Sequence, residues 1–157
     1  MNELNNQLTS GAFLTSEFNG KVNTMTIGWG MEGKCWGKPV FVAMVRQSRY
    51  TLEILDQAKS FTVSIPKSGE MKKELGYLGT VSGRNEDKIK ISGITLIEAE
   101  KITGKLIGGC QSYYECKILF SQQMDKNCFV DGGEIDDKMY KDGDYHYIIF
   151  GEILAAN

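Results

Sequence analysis

Hydrophobic residues along the chain fall mostly into short runs, and several of these alternate with polar residues at the period of two that is typical of β-strands. Residues 11–18 and 21–27 flank the dipeptide Asn19-Gly20, which readily supplies the positive φ angles of a type I′ turn. These two segments therefore predict a β-hairpin. Further strands are predicted over residues 40–45, 61–65, 113–120 and 145–154.

Two segments between these strands show helical spacing instead. Residues 48–59 place apolar side chains on one stripe, with Ser48 as the predicted N-cap. Residues 68–78 repeat that spacing, and Gly79 is predicted to end the second helix. Hairpin-linked strands with two short helices are typical of a small antiparallel barrel rather than a doubly wound sheet. The length and the lack of a linker-like stretch favour one domain over residues 1–157.

The charge balance and the length of the apolar runs argue against a nucleic-acid-binding protein and against a membrane protein. The chain carries 18 Lys and Arg against 20 Asp and Glu, a net charge of -2, so it has no overall field to attract nucleic acid. No apolar run approaches the roughly 18 residues that a membrane span needs. The polar residues 1–7 contain no signal peptide. We therefore expect a cytoplasmic protein that binds neither nucleic acid nor membrane.

Residues that could bind a metal are scattered along the chain. Cys35, Cys110, Cys116 and Cys128 lack the C-x-x-C spacing of zinc sites and predict free thiols. The acidic residues 134–137 lack the ligand spacing of an EF-hand and predict a solvated loop. No metal site is expected.

A glycine-rich stretch, residues 28–33, matches the dinucleotide fingerprint G-x-G-x-x-G and follows a predicted strand. The fingerprint requires a helix to open at that point, and the following residues 34–39, which include a glycine and a proline, do not favour one. The same stretch nearly matches a P-loop, but Cys35 stands where a Ser or Thr must reach magnesium. We therefore reject both motifs.

All three arginines lie in two short segments, residues 46–51 and 82–84. Arginine carries a planar fork of donors that grips phosphate or carboxylate bidentately. The first segment leaves a predicted strand and enters the helix at Ser48, where free backbone N–H groups favour an anion. Residues 46–51 alone fit a phosphate cradle and a simple cap with surface ion pairs equally well. The second segment, a donor-rich loop followed by Asp87 and Lys88, shifts the balance towards a phosphorylated ligand.

Three motifs together resemble the flavin reductase-like family of FMN-binding split barrels, which includes flavoredoxin and small ferric reductases. They are residues 23–29, residues 46–51, and residues 82–84 with Asp87-Lys88; the final segment 146–153 is similar to the family's closing strand. The resemblance implies a mainly β fold, a six-stranded antiparallel split β-barrel with flanking short helices. It also implies a homodimer with FMN near the subunit interface.

The resemblance also implies which residues bind FMN. The segment from Met25 to Trp29 would line the flavin ring. The candidate cofactor-binding residues are Asn23, Met25, Thr26, Ile27, Gly28, Trp29, Arg46, Gln47, Ser48, Arg49, Tyr50, Thr51, Ser82, Gly83, Arg84 and Lys88. Among these, Arg46, Ser48, Arg49 and Thr51 would hold the phosphate or ribityl chain, and Ser82, Gly83, Arg84 and Lys88 would complete that grip. His146, the only histidine, would lie near the flavin as the candidate catalytic residue.

The function that follows is an FMN-dependent oxidoreductase that passes electrons from NAD(P)H to a flavin, ferric or protein acceptor. The alternative is a non-enzymatic FMN electron carrier that serves a protein redox partner. A third hypothesis is a flavin-free module that binds another phosphorylated metabolite. Cys35 follows the ring-lining segment but has no partner cysteine nearby in sequence. Donor, acceptor and nicotinamide preference are left open.

Overall fold

The computed structural model describes residues 7–157, and these form a mainly β structure. Its strands are β1 (Ala12–Phe18), β2 (Lys21–Ile27), β3 (Gly30–Cys35), β4 (Lys38–Arg46), β5 (Ser60–Ile65), β6 (Leu96–Glu98), β7 (Lys105–Ile107), β8 (Ser112–Gln123) and β9 (His146–Ala156). Its helices are α1 (Tyr50–Ala58), α2 (Lys72–Thr80), α3 (Lys88–Ser92) and α4 (Glu134–Met139), with a 3-10 turn at Lys126–Cys128. None of the helices in this part of the chain is long and apolar enough to cross a membrane.

Seven strands form one antiparallel sheet in the order β2-β1-β5-β8-β9-β4-β3, and β6 pairs with β7 alone. The predicted mainly β antiparallel class is confirmed. The predicted number of six strands is wrong, since residues 7–157 contain nine. Strand β3 is polar and mostly exposed, as edge strands often are, and β6 and β7 have three residues each. Neither pattern gives a readable hydrophobic period.

The two edges of the large sheet are strands that follow each other in the chain. Only Gly28 and Trp29 separate β2 from β3, although these strands stand at opposite ends of the strand order. Two residues span only about 7 to 10 Å when extended. The sheet must therefore curl until its edges approach, which produces an open barrel whose split lies at Gly28-Trp29.

The first hairpin follows its predicted chemistry. Asn19 and Gly20 adopt φ angles of 50° and 75°, and the strands pair from Phe18 with Lys21 to Ala12 with Ile27. Both central residues of a type I′ turn need a positive φ, which Asn and Gly supply at little cost. The register therefore places the end of β2 beside the split.

Buried side chains form two clusters. The larger, inside the barrel, includes Leu14, Phe41, Phe61 and Ile149, each with at most 1% of its surface exposed. The smaller cluster packs α2 against the sheet through Phe13, Leu75, Leu78 and Ile107. The smaller cluster fixes the C-terminal end of α2 beside β2, where the candidate ligand-binding loop begins.

Three local predictions are corrected. Arg49, not Ser48, is the N-cap of α1, because the backbone N–H and hydroxyl of Ser48 donate instead to the Asp144 carboxylate at 3.0 and 2.7 Å. Helix α2 runs through Gly79 to Thr80, and Gly79 packs closely on Thr26. The acidic stretch at residues 134–137, predicted as a loop, forms the first turn of α4, where carboxylates interact favourably with the positive end of the helix dipole.

Candidate functional site

Two adjoining cavities contain almost all of the candidate residues. The first, which we name the cradle, has a volume of about 110 Å³ and is lined by Asn23, Met25, Ser48, Arg49, Tyr50, Thr51, Thr80, Val81, Ser82, Gly83, Arg84 and Lys88. The second, which we name the slot, has a volume of about 190 Å³ and is lined by Met25, Thr26, Ile27, Gly28, Trp29, Met44, Arg46, Arg49, Met139 and His146. Both include Met25 and Arg49. The two cavities therefore adjoin at these two side chains.

Lys88 places a buried ammonium group at the cradle. The residue is only 4% exposed, and its Nζ donates to the backbone carbonyls of Leu78 and Val81, each at 3.0 Å. Burial and the nearby Arg49 guanidinium lower the pKa of Lys88 to about 8. The two hydrogen bonds that Nζ donates leave the third N–H of the ammonium for a ligand. The cradle therefore holds a positive charge that is poorly solvated and available to an anion.

The cradle is shaped by a close approach between β2 and the loop at residues 82–84. A Cβ atom added to Gly83 would lie 2.2 Å from the Asn23 Oδ1 atom, so only glycine fits there. Asn23 is held in place because its Nδ2 donates to the Thr51 hydroxyl at 2.8 Å. Arg49 is fastened to the end of α2, since its Nη1 donates to the Gly79 carbonyl at 3.0 Å.

Arg84 is engaged differently from the other two cations of the cradle. It is exposed, forms an ion pair with Glu53, donates to the Ser48 carbonyl at 3.1 Å, and lies 5.1 Å from the centre of the Tyr50 ring. For Arg84, the structure therefore shows the surface ion pair that the sequence left open as an alternative to phosphate binding. It is not realised for Arg49, which has a backbone carbonyl as its partner.

The slot lies at the split of the barrel, between the end of β2 and the start of β9. Trp29 is 42% exposed, and its ring centre lies 5.0 Å from that of His146. Met44 and Met139 add flexible apolar side chains to the wall. The slot therefore combines apolar and aromatic side chains with the Arg46 and Arg49 guanidinium groups.

Arg46 lines the slot and forms hydrogen bonds to the backbone at the end of α4 and in the segment after it. Its guanidinium donates to the carbonyl of Asp144 at 2.8 Å and to that of Met139 at 3.1 Å. It also lies 5.3 Å from the centre of the Tyr140 ring. The structure therefore places Arg46 at the slot and not at the cradle.

His146 is a neutral side chain in this site. It is 8% exposed, and its Nδ1 lies 2.9 Å from the Tyr140 hydroxyl oxygen. Burial is the larger cause, and the Arg46 charge a further one, of a pKa lowered to about 4. At neutral pH the imidazole can therefore donate or accept a hydrogen bond but carries no charge.

Sixteen of the seventeen candidate residues line the cradle or the slot. The exception is Gln47, whose amide donates to the Gly143 carbonyl at 3.4 Å and accepts from Gln123. Sequence reasoning missed Met44, Met139 and Tyr140. Met44 is part of a uniformly apolar strand, and the other two approach the site only because the chain after α4 folds back.

The rejected glycine motif forms no phosphate site of the classical kind. Residues 30–35 are strand β3, so no helix opens after Gly28. Cys35, at the end of that strand, lines neither the cradle nor the slot. Within residues 7–157 no group of three or more His, Cys, Asp or Glu side chains is arranged to hold a metal ion.

Comparison with known proteins gives a consistent result. The family described as flavin reductase like domain matches residues 8–157. An uncharacterized protein from Archaeoglobus fulgidus is 30% identical over 149 residues, which cover 87% of this chain and 82% of the relative. The crystal structure of flavoredoxin from Methanosarcina acetivorans is 28% identical, with a TM-score of 0.70 over 94% of this chain and 67% of that one. An FMN-binding protein from Thermus thermophilus with bound 1-cyclohex-2-enone is 21% identical, with a TM-score of 0.72 over 94% and 68%.

Proposed function

Because this chain belongs to the flavin reductase-like domain family, we propose that it binds FMN across the cradle and the slot and acts as an oxidoreductase of flavin reductase type. The observation that carries the proposal is the presence of two adjoining cavities, a cationic one around the buried Lys88 and one that has the exposed ring of Trp29 in its wall. FMN likewise has two parts, with a phosphate at one end and a tricyclic ring at the other. Pockets for such ligands combine apolar walls with a few fixed polar groups.

The cradle fits a phosphate monoester. Lys88 and Arg49 supply two cations whose positions are fixed by hydrogen bonds to backbone carbonyls. Hydrogen bonds between charged donors and phosphate oxygens are about twice as strong as neutral ones. Gly83 lets the loop backbone approach Asn23, so that the hydroxyl of Ser82 and the backbone N–H groups stand close to the same cavity.

The slot fits a planar heteroaromatic ring. The side chains of Trp29, Met44 and Met139 provide apolar contact, and residues 25–28 contribute strand backbone with its own donors and acceptors. The Arg46 and Arg49 guanidinium groups line this cavity as well, and they favour a ligand that carries negative charge on its ring. When bound, FMN supplies the hydride and single-electron chemistry of the reaction. The contribution of the protein is to hold the ring, exclude water from one side and keep cations beside it.

The first experiment is the visible absorption spectrum of the purified full chain, followed by mass analysis of any compound released on heating. We expect a yellow protein, or a colourless one that takes up one equivalent of added FMN. Steady-state oxidation of NADH or NADPH with a flavin or ferric acceptor then tests the enzymatic activity. Failure to bind FMN would contradict the proposal, and binding without turnover would contradict the reductase part of it.

A second candidate is a non-enzymatic FMN electron carrier, which the similarity to a flavoredoxin at 28% identity favours. In that case the bound flavin would be reduced slowly by either nicotinamide and rapidly by a ferredoxin-like protein. Stopped-flow reduction with both types of donor distinguishes the carrier from the reductase.

We also propose that two copies of the chain associate. The support is an exposed aromatic cluster, in which Trp36, 63% exposed, lies with ring centres 5.4 Å from Phe150 and 6.4 Å from Phe120. Contiguous exposed apolar surface of this kind is typical of interfaces. Light scattering during size-exclusion chromatography tests the proposal, and a mass of one chain at micromolar concentration would contradict it.

A further inference from the structure

His146 and Tyr140 form a buried pair beside the slot that the proposed function does not yet use. Tyr140 is 5% exposed and lines neither the slot nor the cradle. Its hydroxyl oxygen lies 2.9 Å from His146 Nδ1 and 3.4 Å from the sulfur of Met124. The tyrosine thus contacts Nδ1 of the histidine without lining either cavity itself.

The pair admits two arrangements of protons. In the first, the Tyr140 hydroxyl donates to Nδ1, and the imidazole proton resides on Nε2. In the second, the hydroxyl donates to the Met124 sulfur, and Nδ1–H donates to the Tyr140 oxygen, which leaves Nε2 bare. The neutral imidazole always has one nitrogen of each kind.

Geometry and chemistry favour the first arrangement. A thioether sulfur is a weak acceptor, whereas an unprotonated imidazole nitrogen is a strong one. Burial raises the pKa of Tyr140, and the Arg46 guanidinium, 5.3 Å from the centre of its ring, only partly opposes this shift, so the phenol keeps its proton and can donate it to Nδ1. The ring of Tyr145 stacks on Tyr140 with centres 4.8 Å apart and keeps the hydroxyl directed at His146.

The second ring nitrogen of His146, Nε2, takes no part in the contact with Tyr140. Among residues 7–157 no protein group is hydrogen-bonded to Nε2, and yet no buried side-chain nitrogen or oxygen in that part of the chain lacks a partner. Nε2 is therefore accessible. His146 lines the slot, so the accessible atom is the polar group that it offers to a ligand there.

We propose that Tyr140 is a positioning residue that fixes His146 as the Nε2–H tautomer, so that the slot contains a neutral hydrogen-bond donor directed at its ligand. The proposal deepens the proposed function, because the ligand that receives this hydrogen bond is the flavin ring. Partners on the far side of a ligand-contacting histidine commonly determine which nitrogen carries the proton.

The charged groups around the imidazole keep this donor neutral. Arg46 on β4 and Arg49 at the start of α1 oppose protonation, as does burial, whereas Asp144 favours it. The balance lowers the pKa of His146 to about 4. The donor therefore persists as a neutral group across the physiological pH range.

The test uses the fact that the chain has one histidine. Histidine-selective nitrogen-15 labelling of the full chain gives two ring signals, and multiple-bond proton–nitrogen correlations identify which nitrogen is protonated. We expect a protonated Nε2 and an unprotonated Nδ1 at pH 7, both with and without added FMN. A protonated Nδ1 would overturn the proposal whatever the behaviour of variants.

Tyr140→Phe removes the hydroxyl and keeps the aromatic ring. We expect the two nitrogen signals to move towards each other as the tautomers mix, and the pKa of His146 to rise because the neutral form loses a hydrogen bond. Tyr145→Phe is the matched control, since the Tyr145 hydroxyl donates to Asp136 at 2.6 Å rather than to His146. It should leave the His146 signals unchanged.

The outcomes separate this proposal from the binding proposal. Unchanged histidine signals in Tyr140→Phe would overturn the role of Tyr140 even if FMN binds normally. A fixed Nε2–H tautomer that is lost in Tyr140→Phe would support it even if FMN does not bind. With FMN bound, a downfield shift of the Nε2 proton is expected, and its absence would contradict the direction of the hydrogen bond towards the ligand.

Discussion

The cradle and the slot adjoin each other, but the residues in their walls are held by different contacts. In the cradle, Lys88 and Arg49 are fastened to carbonyls within a single short stretch, residues 78–81. In the slot, Arg46 holds two carbonyls that lie 93 and 98 residues away in sequence. The two cations of the cradle thus share one anchor at the end of α2, whereas the slot depends on how the chain after α4 folds back onto β4.

This difference predicts how the two ends contribute to binding. The cations at the end of α2 lie where the helix dipole and free carbonyls favour positive charge, so they stay in place without a ligand. These cations should therefore contribute to the affinity for the phosphate of FMN and not to that for its ring. The slot should contribute to the affinity for the ring and not to that for the phosphate. Comparing the affinities of FMN and riboflavin in each variant separates the two contributions.

Gly83→Ala should have the largest effect. The new Cβ would lie 2.2 Å from Asn23 Oδ1, so Asn23 must move and its hydrogen bond to Thr51 is lost. We expect FMN affinity to fall on the order of 100-fold and stability to fall by about 1 to 3 kcal/mol. Fluorescence titration with FMN and thermal unfolding measure the two effects.

Gly76→Ala is the control for that variant. Gly76 lies within α2, and no atom stands within 4 Å of its added Cβ. Alanine should stabilise the helix by roughly 0.5 to 1 kcal/mol and leave FMN affinity unchanged. Equal affinities for Gly83→Ala and Gly76→Ala would show that the cradle does not hold the ligand.

Lys88→Met should have the next largest effect, and on FMN alone. The substitution removes the buried ammonium but keeps an unbranched apolar chain of similar length. A hydrogen bond to a charged group contributes about 1.5 to 3 kcal/mol, so FMN affinity should fall at least roughly 10-fold. Riboflavin affinity should stay the same. Lys90→Met, an exposed position on the same short helix, is the control, and an equal loss for riboflavin would refute the division between the two ends.

The pH dependence of FMN binding should follow the same residue with a smaller effect. The pKa of Lys88 is lowered to about 8, so the ammonium is present below that pH and is lost as the pH rises through it. The phosphate is already doubly charged above pH 7, since its second pKa is about 6. FMN affinity should therefore fall several-fold between pH 7 and pH 9.5, with the midpoint moved upwards by the bound anion. Titration of the Lys88→Met variant should give a flat profile, and an equally steep one would exclude Lys88 as its cause.

The contrast between local and long-range structure also explains what the sequence could predict. The first hairpin and the residues of the cradle lie in contiguous motifs, so their chemistry can be read directly from residues 19–20, 46–51 and 82–84. The apolar spacing predicts helix α1 but places its N-cap at Ser48 rather than at Arg49. Ser48 is hydrogen-bonded instead to Asp144, 96 residues away, and no local sequence pattern predicts that contact.

Tyr140 is the residue of the site that the sequence gives least reason to expect. It follows a short acidic helix and carries no motif, yet it lies against His146 because Arg46 holds the chain on either side of it, at Met139 and Asp144. Its position requires the strand order of the sheet to be known first. Side chains that support a site from behind are set by tertiary packing, whereas side chains that contact an anion are confined to a few residue types.

Trp29→Leu should give the smallest of these effects and should act on both ligands equally. Trp29 lines the slot beside His146 and is 42% exposed, so its ring is available to stack on a planar ligand. Aromatic pairs contribute about 0.5 to 1.5 kcal/mol beyond area burial, which corresponds to a loss of roughly 2- to 10-fold for FMN and for riboflavin alike. The quenching of flavin fluorescence on binding should decrease as well.

Val130→Ala is the control, because Val130 is an apolar side chain that is 98% exposed and lines neither cavity. It should leave both affinities unchanged. A loss confined to FMN in Trp29→Leu would mean that the tryptophan acts on the phosphate end through Met25 and Arg49, which both cavities share. In that case the two ends would be coupled, and the affinity losses of Trp29→Leu and Lys88→Met would fail to add in the double variant.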